Sequence, residues 1–343
     1  MPDSVILSEE DLKLIHALQV NARASWTAIA HVLDMDPATA ARRWARLESS
    51  GDAWVAAYPL REPAHAGAIV EVCCAAGRAL PVAEKLADDP HCMNVDITTG
   101  ARDVMLTVTT RSAAQLSEYL LHRFDGMAGV RTVTAHLMFR VHTSGAHWRM
   151  GVLTSRQERA LAKTYAVVEP PTAGPPEWAM AVALGQNGRR AVTDLAAACG
   201  MSEATVRRRL PALLGSGQLI LRCEVARERS GYPVGVWYFL RVAAAKANEI
   251  GIAIGRLPQV RISATVDGPA NLIVQAWVPA RDQITEFESR LCRALPGVEV
   301  IDRSVMLRTA KRVGRRIGED GRATAITSTD IRLPIPREHH PVR

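Results

Sequence analysis

Two arginine clusters are the residues best suited to chemistry. Thr39, Arg42, Arg43 and Arg46 share one short segment, and Ser202, Thr205, Arg207, Arg208 and Arg209 share another. Guanidinium groups on one helical face can neutralise phosphate or donate two hydrogen bonds to a guanine edge. The partner that chemistry fits is double-stranded DNA. Nothing comparable points to a catalyst. The six cysteines (Cys73, Cys74, Cys92, Cys199, Cys223 and Cys292) form no C-x-x-C pair and are expected to be reduced and mostly buried. His136 and His142 can share a strand face, but no third ligand accompanies them, so no metal is expected. Gly185-Gln186-Asn187-Gly188-Arg189 lacks the Lys-Ser/Thr of a phosphate-binding loop. No cofactor is expected.

The elements that must hold these arginines occur twice. Residues 17–51 fall on 183–217 without a gap, matching Asn21/Asn187, Arg23/Arg189, Thr27/Thr193, Met35/Met201, Thr39/Thr205, Arg42/Arg208, Arg43/Arg209, Leu47/Leu213 and Gly51/Gly217 among others. Farther on, with two residues inserted, Gly67 falls on Gly235, Gly100 on Gly268, Gly129-Val130 on Gly297-Val298, and Arg140 on Arg308. The order is A–B–A′–B′, and such self-similarity fixes the architecture before any local reading.

In A, Leu12, Ile15 and Leu18 give a first helix over 10–19, and Ile29, Val32 and Leu33 a second over 25–33. Asp36 is an N-cap, Pro37 suits the first helical position, and Gly51 ends the third helix. Ala40, Trp44 and Leu47 are its buried stripe, which leaves Thr39, Arg42, Arg43 and Arg46 outward. In A′, Ser202 is the cap, Val206, Leu210 and Leu213 are inward, Thr205, Arg208 and Arg209 are outward, and Arg207 is at the border. Pro211 lies inside this helix and is expected to bend or end it. Each unit is a helix-turn-helix with a basic recognition helix. B reads as strand 68–76, helix 80–88, strands 92–98 and 103–109, helix 112–125 and strand 130–142; B′ repeats the order from 235 to 308. This βαββαβ order is ferredoxin-like, with one sheet face free for pairing.

The chain resembles the Lrp/AsnC family of transcriptional regulators over roughly 7–142 and 174–310. The resemblance is carried by Ser202-Glu203-Ala204-Thr205-Val206-Arg207-Arg208-Arg209-Leu210 followed by Gly217-Gln218-Leu219-Ile220. Ser230-Gly231-Tyr232, Thr99-Gly100-Ala101-Arg102-Asp103 and Leu295-Pro296-Gly297-Val298 add to it. It implies a homo-oligomer-forming regulator whose βαββαβ module binds an amino acid or similar small effector. By residue matching it places Gly100 and Asp103 at one effector pocket and Gly268 and Asn271 at another. A glycine turn admits a ligand to the backbone, and a carboxylate can take an amino group. Asn271 lacks that charge, so the second pocket is expected to be degenerate or differently specific.

The expected fold class is α+β, with two winged-type helix-turn-helix domains and two βαββαβ ferredoxin-like sensing domains. The expected division is 1–56 and 57–145 for the first pair, 146–175 for a connector, 176–222 and 223–310 for the second pair, and 311–343 for a basic mobile tail. In the connector, Ser155-Arg156-Gln157-Glu158 reads as a capping box before a short helix over 156–166, and Glu169 to Pro176 as a semi-rigid linker. Composition agrees: 343 residues, 48% hydrophobic, 22% charged and net +7 suit a globular, non-membrane protein with a polyanionic partner. No signal segment is evident, so the cytoplasm is the expected location. A sirohaem-decarboxylase-like enzyme resembles the same layout, but Arg315-Arg316-Ile317-Gly318, similar to one signature of that class, sits in the tail, outside the required context.

Overall fold

A computed structural model describes residues 6–162 and 174–338. The first DNA-binding unit is α1 (Glu9–Val20), α2 (Trp26–Leu33) and α3 (Pro37–Ser49), followed by the wing strand β1 (Ala53–Ala57). Each helix starts where a short polar side chain takes an orphan backbone N–H: Ser8, Ser25 and Asp36 cap α1, α2 and α3. The second unit is α7 (Pro175–Gln186), α8 (Val192–Cys199), α9 (Glu203–Gly215) and β6 (Leu221–Val225), with α6 (Ser155–Leu161) in the connector before it. Strands β1 and β6 pair antiparallel about Val55 and Cys223, so the two units meet around a pseudo-two-fold axis.

Pro211 neither ends nor shortens α9, which runs for 13 residues, as α3 does. Buried Leu210 and Leu213 hold its inner face, and one missing backbone donor does not outweigh that packing.

The first sensing module comprises β2 (Ala66–Cys74), α4 (Ala79–Leu86), β3 (Cys92–Thr98), β4 (Val104–Thr110), α5 (Ala113–His122) and β5 (Val130–Thr143). The second comprises β7 (Val234–Arg241), α10 (Ala247–Gly255), β8 (Val260–Val266), β9 (Leu272–Val278), α11 (Gln283–Ala294) and β10 (Glu299–Arg312). The free sheet faces of the two modules meet each other within the chain. The last strand of each module runs on into the other: β5 pairs first with β2 and then with β8, and β10 first with β7 and then with β3. Following hydrogen-bonded neighbours from β3 through β4, β2, β5, β8, β9, β7 and β10 returns to β3. Ile69, Met105, Trp237, Phe239, Ile262 and Ile273 fill the space between the modules. The two modules therefore pair within one chain, as subunits of a dimer would.

Residues 311–338 are ordered, contrary to the expectation of a mobile tail. Strand β11 (Arg315–Ile317) turns back on β10, and β12 (Ala323–Ile326) pairs with β11. The segment lacks an apolar period because it is anchored by ion pairs and backbone bonds. Arg322 reaches buried Asp52 at 3.0 Å, Ala323 N–H donates to Gly51 O, and Ile331 enters the core of the second DNA-binding unit. Lys311 is buried and donates to Asp89 O at 2.6 Å; burial lowers its pKa to about 8.

The connector differs in detail. Its capping box is Thr154 with Gln157, so α6 starts one residue earlier than expected and ends at Leu161. Pro175 and Pro176 open α7 rather than closing a linker, and most of the expected linker lies outside the described residues. Buried His16 holds the connector down: its Nδ1 accepts from Val152 N–H at 3.2 Å and Leu153 N–H at 2.9 Å, and its Nε2 lies 3.0 Å from Glu158. Protonation at Nδ1 would break both backbone bonds, and burial lowers the pKa from 6.5 to about 4. Because the folded value lies below the unfolded one, this contact stabilises fully above pH 6.5 and is lost as pH falls toward 4. Hydrogen exchange at Val152 and Leu153 should accelerate across that window, and His16→Gln should flatten the response.

Candidate nucleic-acid interface and sensing seam

The two DNA-binding units are fastened by a reciprocal device. Arg23 donates to the carbonyls of Gly188 (2.7 Å) and Arg190 (3.0 Å), and Arg189 donates to those of Ala22 (2.6 Å) and Ala24 (3.0 Å). The Arg23/Arg189 match in the repeat was its visible trace. Burial and the adjacent Arg23 lower the pKa of Arg189 to about 10. With β1–β6 pairing, these bonds fix how far apart α3 and α9 stand.

The arginines predicted to face DNA divide into two roles. Arg43 and Arg46 close on buried Asp11 of α1 at 3.1 and 2.6 Å. In the second unit Arg209 pairs with buried Glu177 of α7 in the equivalent place. These guanidiniums tie each recognition helix to the first helix of its unit, and Asp11 and Glu177 were not identified from sequence. A carboxylate in the first turn of one helix opposite an arginine of another was the available signal. Arg42 and Arg208, which match each other in the repeat, are exposed; among the described residues Arg42 bonds Thr39, at 3.3 Å. Arg207 is exposed beside Glu203 at 3.0 Å. Ser202 spends its hydroxyl on the cap, accepting from Thr205 N–H. Thr39 and Thr205 are half-buried.

The proposed effector residues lie on the seam between the modules. Gly100 and Gly268 adopt φ of +92° and +99°, a left-handed conformation that favours glycine. Each turn docks on the crossing strand of the other module. Thr99 exchanges two hydrogen bonds with Val305, at 2.9 and 3.0 Å, and Asp267 accepts from Leu137 N–H at 2.6 Å. The role expected of Asp103 needs correction. Its carboxylate accepts from Cys74 N–H at 2.6 Å, and Asn271 makes the equivalent latch on both backbone groups of Val242. The two form a matched pair of strand latches, which an acid and an amide can both make. The charged group in the first turn is instead Arg102, buried 4.1 Å over the Phe239 ring and bonded to Glu71 (2.5 Å), Asp302 (2.8 Å) and Ser304 (2.9 Å). Glu71 also holds His136 at 2.7 Å, which raises the histidine pKa.

Where the wing strands meet the sensing modules lies a buried ionic joint that sequence reading missed. Glu224 of β6 accepts from Arg261 of β8 at 2.8 and 2.9 Å and pairs with Arg222. Arg261 stacks 3.8 Å from Trp277 and 4.6 Å from Trp148. Arg312 lies 4.7 Å from Trp277 and faces buried Asp96, whose pKa burial raises. Burial, with Arg222 and Arg312 nearby, drives the Arg261 pKa down. Alternating strands carry these charges, so no contiguous motif announced them.

Comparison with known proteins agrees with this geometry. The model of the AsnC-type helix-turn-helix domain matches residues 7–48 and 180–214, and that of the Lrp/AsnC ligand binding domain matches 67–146. The chain carries AsnC-type helix-turn-helix domains and an Lrp/AsnC ligand binding domain. An uncharacterized HTH-type transcriptional regulator of Pyrococcus furiosus is 28% identical over 144 residues, 41% of this chain and 97% of that protein. A second, from Pyrococcus abyssi, is 27% identical over 145 residues, 41% and 91% of the two chains. Each such relative has the length of one helix-turn-helix plus sensing half. Over the whole length the fold is similar to the crystal structure of the siroheme decarboxylase NirDL, with a TM-score of 0.53 and 15% identity, covering 92% of this chain and 96% of that one. The chain thus holds two copies of each domain, in a fold similar to that of NirDL. No helix among the described residues is long and apolar enough to cross a membrane.

Proposed function

We propose that this chain is an Lrp/AsnC-type regulator, a cytoplasmic, sequence-specific DNA-binding protein in which one chain does the work of a dimer. The reading rests on one observation: two recognition helices are locked about a common axis by reciprocal Arg23 and Arg189 bonds, each with an exposed, matching arginine, Arg42 or Arg208. Thr39, Thr205 and Arg207 flank them, Ser202 orients the second helix, and Arg43, Arg46 and Arg209 brace the helices from behind. Because Ala41 opposes Arg207 and Ala45 opposes Pro211 in the repeat, the half-sites read are unlike. A small effector, an amino acid or a similar molecule, acts at the seam around Gly100 and Arg102, with Gly268 on the opposite side. The Glu224–Arg261 joint passes the change to the wing. Exposed Leu137, Phe139 and Val141 on β5 and Leu307 on β10 suit pairing of two chains. Selection of bound fragments from a random duplex pool at low salt should enrich one non-palindromic sequence; a pool left unenriched would refute the reading.

A second reading is carried by the full-length likeness to NirDL together with the arginine-rich joint, where Arg261 Nε and Trp277 Nε1 are buried without a hydrogen-bond partner. Surplus buried donors suit the carboxylates of a tetrapyrrole. An iron-tetrapyrrole absorption band that shifts on mixing, and stays unshifted with Arg261→Ala, would favour it over the regulator.

A further inference from the structure

We infer that a cavity between the two DNA-binding units is a second ligand site, for a small molecule bearing both an amine and a carboxylate. The coupling to DNA rests on the regulator reading; the binding itself does not. The cavity has a volume of about 510 Å³, within the range of small-molecule sites. Its walls come from three separate parts of the chain: Glu48 and Ser49 at the end of α3 with Trp54 of β1, Gln186, Asn187 and Arg190 after α7, and the β11–β12 segment with Arg315.

Two groups there can still take a ligand. Trp54 is 2% exposed, and its indole N–H has no acceptor. A buried donor left unbonded costs about 1–3 kcal/mol, so it favours an incoming oxygen. Glu48 accepts a hydrogen bond from the Trp44 side chain but forms no ion pair among the described residues, and burial raises its pKa against the pull of Arg315, Arg189 and that bond. An ammonium group would supply the direct ion pair that the more distant arginines do not make. Arg315 is already spent on backbone carbonyls and Arg190 bonds Gln186, which leaves the Arg190 guanidinium beside the cavity as the second contact for a carboxylate. One wall thus accepts from a cation and another donates to an anion.

The pseudo-symmetry shows that this polarity is particular to one side. The mate of Glu48 is Leu214, and the mate of Trp54 is Arg222, which Glu224 and Tyr58 engage. Asn21, the mate of Asn187, donates to Leu161 O, so the connector closes the opposite position. Only the β12 side keeps the open, charged version. A ligand there bridges the last turn of α3 to the second unit and alters the spacing of the recognition helices.

The test uses the full chain without DNA. Standard L-amino acids are added singly at millimolar concentration, and the thermal midpoint is read. At least one should raise it by several degrees, and Glu48→Gln and Trp54→Phe should each weaken that binding at least about tenfold. Trp54→Phe keeps the packing while removing the donor, so it remains informative if Glu48→Gln misfolds. Absence of any shift overturns the proposal. So does a shift that survives both variants, or one that survives them and disappears with Arg102→Gln, which places the amino acid in the sensing modules. Loss of DNA binding with the thermal shift intact would refute only the regulator reading.

Discussion

Arg42→Glu combined with Arg208→Glu should abolish operator binding while leaving the thermal midpoint nearly unchanged. Each side chain is exposed and braces no buried carboxylate. An arginine on a base edge contributes about 1–3 kcal/mol, and a glutamate there adds repulsion from phosphate. The pair should therefore weaken binding by roughly 100- to 10,000-fold, at 1.4 kcal/mol per tenfold. Competition titrations at two salt concentrations would measure it, and the slope of log affinity against log salt should also flatten. Arg43→Glu is a poorer probe, because it places a carboxylate against buried Asp11 and destabilises the unit. Undiminished affinity in the double variant would mean that another surface meets DNA.

Glu224→Ala should give the largest loss of stability. Its side chain is fully buried between Arg222 and Arg261, themselves 4% and 1% exposed at the side chain. Removing the carboxylate leaves two guanidiniums facing one another without compensation, and breaking a buried pair in this way costs about 3–5 kcal/mol. The joint links β6 to β8, so the damage should fall on the contact between the wings and the sensing modules. Hydrogen exchange of β1 and β6 should rise more than that of β4, which lies away from it. Calorimetry would give the total, and a loss below about 1 kcal/mol would show that the joint is not a structural tie.

Much of this architecture was readable from residues because the chain states it twice. Apolar stripes such as Ala40–Trp44–Leu47, the caps Asp36 and Ser202, and the βαββαβ order arise from local physics, and the repeat confirms each against its copy. Pairing of the modules was not readable. That β5 and β10 cross between sheets is a long-range choice, made by Trp237, Phe239 and Ile69 packing between them. The tail was misjudged for a similar reason: Arg315 and Arg322 order it through distant carbonyls and Asp52, which leaves no period in the sequence.

The candidate site was half legible. Arginine spacing located the recognition helices, yet it could not separate Arg42, which faces solvent, from Arg43, which faces Asp11. Both lie off the buried stripe, and only the neighbouring helix distinguishes them. Asp103 and Asn271 looked like a charged site and its lapsed copy. They are one latch made with two chemistries, because a carboxylate oxygen and an amide oxygen can each accept from a backbone N–H.

The most direct measurement is a base-by-base interference map of the selected duplex, made with the native chain and with Arg42→Ala and Arg208→Ala separately. Two adjoining major-groove clusters about one helical turn apart should be seen, with Arg42→Ala relaxing one and Arg208→Ala the other. Both variants relaxing the same cluster, or a single cluster for the native chain, would contradict a paired reader built within one polypeptide.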